Sequence, residues 1–270
     1  MKTRSLALML ALLAAALPPA AGAADEAAED ARNKSDAVDR VAKAHDETMI
    51  AGTAALIVKQ ASVRVARQLL DTWGREAGLG KGWKQGEPEW KAAEALLVGT
   101  TTPAVIARAF EGGWVKEIRR EYVGTAFDGE SADTIATHLE SKSGQAQIAM
   151  MDWFMGEMTL FNYTYTGRFE YDLVGAEAEL KALQKAAQPR IPKKDNELEF
   201  STLNPEAFQF VACSPENRYC VGPRYAKLNA VPIQGAIIRR IDAMAAEVQT
   251  AMKSMRPQVQ PHLDAWRARQ

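Results

Sequence analysis

Residues 131 to 167 read SADTIATHLESKSGQAQIAMMDWFMGEMTLFNYTYTG, and their pattern decides the fold class. An amphipathic segment leads to a polar break at Ser141-Lys142-Ser143-Gly144, and the richest apolar and aromatic run downstream of the N-terminal leader follows it. A helix so loaded is expected in a core. The break reads as a helix-to-helix joint, with Ser143 placed to cap the second helix and Gly144 to allow the turn. Within that helix Met151, Met155 and Met158 share a face, whereas Phe154, Met158, Phe161 and Tyr165 form a stripe that leaves Tyr163 on another. Two apolar stripes imply burial on two sides or a partly exposed aromatic patch. Met151, Trp153, Met155, Met158, Tyr163 and Tyr165 are therefore the candidate ligand or partner groove, and core packing is the competing reading.

Upstream, residues 24–34 are mostly alanine and acid with no large apolar side chain, which predicts a frayed lead-in. Order is expected from Ser35 or Asp36, in a helix carrying Val38, Val41 and His45. A second helix carries Ile50, Ile57, Val58, Val65, Leu69 and Trp73 and ends at Gly78 and Gly80. The basic, glycine-bearing loop 78–88 holds Trp83, placed either to bind a phosphate or sugar or to cover a helix end; it lacks phosphate-loop spacing. Pro88 suits the first turn of a short helix through Leu97. Thr102-Pro103 reads as a fresh helix start leading through Phe110, Trp114, Ile118 and Tyr122, with Gly112-Gly113 as a bend. Arg119, Arg120 and Glu121 fall on its solvated side.

Downstream, Gly167 is read as a helix end, and Leu173, Leu180 and Leu183 mark a helix to about Ala187. Residues 197–200 suit a short strand, Asn204-Pro205 a helix cap, and a small hairpin is the alternative for this region. From Val231 to Met255, Ile233, Ile237, Ile241, Met244, Val248, Met252 and Met255 recur at threes and fours, the signature of a long amphipathic helix. Pro257 stops it, and Pro261 is expected to start a last short helix. The expected fold is mainly α: a helical bundle over 35–188, a linker and disulfide-closed loop over 189–224, and C-terminal helices over 225–270 packing on the bundle.

The first residues constrain location. Met1-Lys2-Thr3-Arg4, an apolar run from Leu6 to Leu17 and the small residues Ala21-Gly22-Ala23 make a secretory signal peptide over 1–23, with cleavage expected before Ala24. The protein is expected to be soluble in a bacterial periplasm or outside the cell. The chain has 33 Lys+Arg against 34 Asp+Glu, and losing Lys2 and Arg4 makes it slightly more acidic, which speaks against a nucleic-acid partner. Apart from the leader, no run is read as an integral membrane segment. Cys213 and Cys220, the only cysteines, are expected to pair in an oxidising compartment, a short closure worth about 2 to 3 kcal/mol.

Chemistry-bearing residues are scattered. His45, His138 and His262 have no metal-ligand spacing, so neither metal nor cofactor is expected, and each histidine reads as structural or superficial. Met150, Met151, Met155 and Met158 carry a copper-thioether alternative. Glu140-Ser141 followed by Gly144-Gln145 has a faint likeness to lytic transglycosylases, in which such a glutamate is the general acid.

Ser141-Lys142-Ser143-Gly144-Gln145 between an amphipathic and a long apolar helix also resembles the Ser-Pro-x-Gly-Gln joint of an uncharacterised family of exported bacterial helical proteins. Ser141, Gly144 and Gln145 match and Lys142 replaces the proline, over roughly residues 100–166. The resemblance implies an all-helical exported domain and assigns no reaction. The functional expectation is a non-catalytic envelope protein that binds a partner protein or small ligand through a helical groove, with a cell-wall-directed hydrolase or lyase using Glu140 as the alternative.

Overall fold

The computed structural model describes residues 21–111, 113–165, 176–188 and 231–270. Among them every regular element is helical: α1 (Ala21–Ala44), α2 (Thr48–Glu76), a 3-10 turn (Gly80–Gly82), α3 (Pro88–Glu111), α4 (Trp114–Ala126), α5 (Gly129–Glu140), α6 (Lys142–Tyr165), α7 (Glu177–Ala187), α8 (Val231–Ser254) and α9 (Arg256–Arg269). The protein is mainly α. The apolar part of the leader, the 197–200 strand, the hairpin alternative and the Cys213–Cys220 loop lie outside the described residues.

Three expectations about helix limits change. The stretch expected to fray is helical, because alanine and glutamate favour a helix without tertiary support; residues 25–33 are nevertheless exposed. No new helix starts at Thr102-Pro103, since Pro103 sits inside α3. It costs the helix the hydrogen bond to Gly99, but Leu97 and Val105 on either side are held in the same core. The break comes instead at Gly113, whose φ of 60° is left-handed. Likewise Pro257 lies in the first turn of α9, where its missing amide would have no partner, and Pro261 is internal.

The joint after Glu140 is built by Ser141, Gly144 and Gln145. Ser141 Oγ accepts from the Gly144 amide at 3.0 Å and donates to the His138 carbonyl at 2.6 Å. Gln145 Nε2 donates to the Leu139 carbonyl at 2.6 Å. Ser141 thus takes the capping role expected of Ser143. Gly144 is needed for close approach rather than for a turn, since a Cβ there would strike the His138 carbonyl and lie 2.7 Å from Leu139 Cα.

Burial divides into two clusters. The larger draws on α2, α3, α6, α8 and α9 and the start of α4. All seven apolar positions read for α8, from Ile233 to Met255, are buried in it. At its edge Trp83 lies 5.2 Å from Trp90 and 6.2 Å from Trp266, and its indole donates to the Leu70 carbonyl at 2.9 Å. Trp83 therefore closes the end of α2, the helix-covering reading of this loop. By length and composition α2 could cross a membrane, against the expectation of no such run, and 56% of that window is buried inside the bundle. The smaller cluster joins Ala37, Val38 and Val41 of α1 to the end of α4, to α5, and to Ile148 and Met151 of α6.

A buried histidine, aspartate and arginine at the seam of two cores

Three elements pass from one cluster to the other, and each places a polar residue where it crosses. In α4, Val115 belongs to the larger core and Val123 to the smaller, with Arg119 midway on the same helical stripe. In α6, Met151 lies in the smaller core and Met155 in the larger, with Asp152 between them. The joint between α1 and α2 runs from Val41 in the smaller core to Ile50 in the larger, through His45-Asp46-Glu47. His45, Asp152 and Arg119 are all buried, at 4%, 2% and 1% exposure.

Asp152 is the hub. Its Oδ1 accepts from Arg119 Nη2 and faces His45 Nδ1 at 2.8 Å, while Oδ2 accepts from the Asp46 amide at 2.8 Å. The tautomer that bonds Asp152 donates the Nδ1 proton of His45 and leaves a bare lone pair on Nε2. Burial, and then the Arg119 charge, push the His45 pKa down, so the ring is neutral near neutral pH. His45 Nε2 and Arg119 Nε and Nη1 are buried without a hydrogen-bond partner among the described residues.

Glu47 completes the joint. Its carboxyl lies near Lys116, in the first turn of α4, and Oε1 is buried without a hydrogen-bond partner among the described residues. Burial raises its pKa from 4.5 to about 7, against the lowering effects of Lys116 and Arg119. The site therefore combines a neutral imidazole, a neutralised carboxylate and a carboxyl poised near neutrality. No group of three His, Cys, Asp or Glu side chains able to hold a metal occurs among the described residues.

The sequence reading missed this centre. Arg119 had been assigned to a solvated face, and the structure buries it because Val115 and Val123 hold that stripe inside. His45 is not a superficial residue; a partner far along the chain defines it. The available signal was Asp152, the only ionisable residue between Gln145 and Gly156 in the most apolar run downstream of the leader.

The residues singled out by sequence do not converge on one groove. Met151 and Met155 are buried in different cores. Tyr163 is buried and donates from its hydroxyl to Asp242 Oδ1 at 2.8 Å. Trp153 and Met158 are half-buried on the outer side of α6, where Phe161 is 49% exposed. The side chains of Met150 and Tyr165 lie outside the described residues. Glu140 is on the surface, gripped by Arg40 at 2.9 and 2.8 Å, and that guanidinium holds its carboxyl below the usual range. His138 is half-buried beside the α5–α6 joint.

Fold and site define a helical protein whose two apolar cores are pinned together by an internal His–Asp–Arg cluster. No family model, curated protein or solved structure matches the chain.

Two consequences are measurable. Asp152→Ala leaves Arg119 as an uncompensated buried cation and is expected to lose about 3 to 5 kcal/mol in denaturant unfolding; a loss below about 1 kcal/mol would show the pair to be unimportant. Glu47 releases its proton near 4.5 when unfolded but near 7 when folded, so folding takes up a proton between these values and stability falls as pH rises through them. Glu47→Gln mimics the protonated form. It is expected to match wild type at about pH 4.5 and to melt higher at about pH 8; a wild-type advantage at the higher pH would reverse the assignment.

Proposed function

We propose that this is an exported, non-catalytic helical protein of the bacterial envelope that acts by holding a partner protein against the outer face of α6. The observation that carries this reading is the distribution of large side chains around that helix. Met151, Met155, Leu160 and Tyr163 turn inward, while Phe161 at 49% exposure, with Trp153 and Met158 half-buried, turns outward. These three are spread over about 12 Å of helix length and over the half of α6 turned away from the cores, a broad apolar surface suited to another protein rather than an enclosed small-molecule pocket. The groove inferred from the sequence is thereby reduced to its outer members. The likeness to exported helical proteins is consistent with this reading.

Glu140 is poorly suited to the cell-wall hydrolase alternative. A general acid must hold a proton near the working pH, and the Arg40 fork stabilises the opposite, ionised state. His45 carries a bare Nε2 but is buried, and no nucleophile is hydrogen-bonded to it among the described residues.

Export and a Cys213–Cys220 bridge belong to the same proposal. The intact, unreduced mass of protein from the periplasmic fraction is expected to equal a chain starting at Ala24 and lacking two hydrogens; retention of residues 1–23, or two free thiols, would count against it. For the binding face, a photo-crosslinking residue at Phe161 is expected to give one discrete protein adduct in cells. Met158→Glu should weaken that adduct, and a crosslinker at exposed Lys91 on α3 should not give it. The same adducts from both positions, or none from Phe161, would defeat the assignment.

A further inference from the structure

Among the described α-helices, only α7 has no buried residue along its length of eleven. Leu180, Leu183, Gln184 and Ala187 turn toward the bundle at threes and fours and are half-buried, whereas Glu177, Glu179, Lys181 and Lys185 are exposed. The helix packs chiefly on α2. Lys59 of α2 binds Glu179 at 2.6 Å, and Gln184 Nε2 donates to Glu157 Oε1 of α6 at 2.8 Å, so α7 lies in the groove between α2 and α6. Lys59 follows Gly52 while Glu179 precedes Leu183, which sets α7 antiparallel to α2.

Glycine makes the floor of that groove. A Cβ at Gly156 of α6 would strike Met49 Cγ and lie 3.0 Å from the Met49 backbone carbon, so α2 and α6 cross closely there. One turn along α2, a Cβ at Gly52 would fall on Leu183 Cδ1 and lie 2.8 Å from Cδ2. Gly52 weakens α2 relative to alanine, and what it supplies is a notch for a leucine arriving from outside. Beyond its leucines, α7 is kept in place by an ion pair about half exposed on both sides and by one amide–carboxylate bond. Such an exposed pair contributes little, and a helix of eleven residues is marginal on its own. A notch with a weakly held occupant can release one helix and accept another.

The groove also runs into the outward apolar surface of α6. Trp153, Glu157 and Phe161 follow one another at fours on a single stripe, and Glu157, in the middle, is the residue that Gln184 of α7 binds. A protein seated on Trp153 and Phe161 therefore meets α7 at Glu157. We infer that the α2–α6 groove is a docking site for an amphipathic helix of the partner, occupied by α7 until that helix takes its place; the inference rests on the partner face proposed above. The groove sets the chemistry of the incoming helix. It carries a leucine for the Gly52 notch, a carboxylate about one turn before it for Lys59, and a side-chain amide beside the leucine for Glu157.

The sequence of α7 serves as the probe. A labelled, end-blocked peptide of residues 176–188, AEAELKALQKAAQ, is titrated against the full chain and followed by fluorescence anisotropy. Leu183→Asp empties the notch without altering a buried residue. This variant is expected to bind the peptide at least about tenfold more tightly than wild type, in which α7 competes for the groove. Gly52→Leu fills the notch and should abolish binding, as should aspartate at the Leu183 position of the peptide. Amide hydrogen exchange on the wild-type chain is a second measurement that needs no variant: α7 should exchange at least about a hundredfold faster than the middle of α8. Equal exchange in the two helices overturns the inference, as does failure of the Leu183→Asp chain to bind, or binding that survives Gly52→Leu. Peptide binding as expected with no adduct from Phe161 supports the groove and counts against the partner face alone, so each reading fails by its own result.

Discussion

One carboxylate organises the interior. Asp152 accepts from a helix in front of it, from a joint more than a hundred residues earlier and from that joint's backbone, and so connects α6, α4 and the α1–α2 junction at one point. A buried ion pair of this kind is a weak source of net stability, because removing both charges from water costs several kcal/mol. Its value lies in specificity. The two apolar clusters would tolerate many relative placements, since packing is non-directional, whereas a carboxylate with three directed partners accepts very few.

The same seam explains why Met151 and Met155 fall in two cores rather than one groove. A helix that crosses from one core to another must present apolar side chains to both, and α6 does so with Met151 on one side of Asp152 and Met155 on the other. Methionine suits both environments because its flexible thioether fills irregular space. What the inner face does not use, Trp153, Met158 and Phe161, is left toward the outside. The aromatic richness read as one feature is two: core filling inward and an apolar strip outward.

Much of the helical fold was legible from the residues. The periodicity of Ile233 through Met255, the ends of α2 at Gly78 and Gly80, and the break near Ser141 all depend on local geometry, which sequence spacing reports directly. Helix starts were less secure. Thr102-Pro103 has every local mark of a cap, but the core around Leu97 and Val105 outweighs the loss of one hydrogen bond, so α3 runs through it. Ser141 and Ser143 are equally good capping residues by type, and only the close packing of Gly144 against His138 chooses between them.

By itself, then, the sequence determined the helical class, most of the helices and the apolar faces they would bury, because these follow from periods of three and four along one chain. The tertiary structure alone decided that Arg119 points inward, that His45 meets Asp152 and that Glu47 lies against the start of α4. These pairings join residues about thirty to more than a hundred positions apart, and no local propensity encodes them. Burial then shifts the titration of His45 and Glu47 in opposite directions, because desolvation disfavours whichever form is charged.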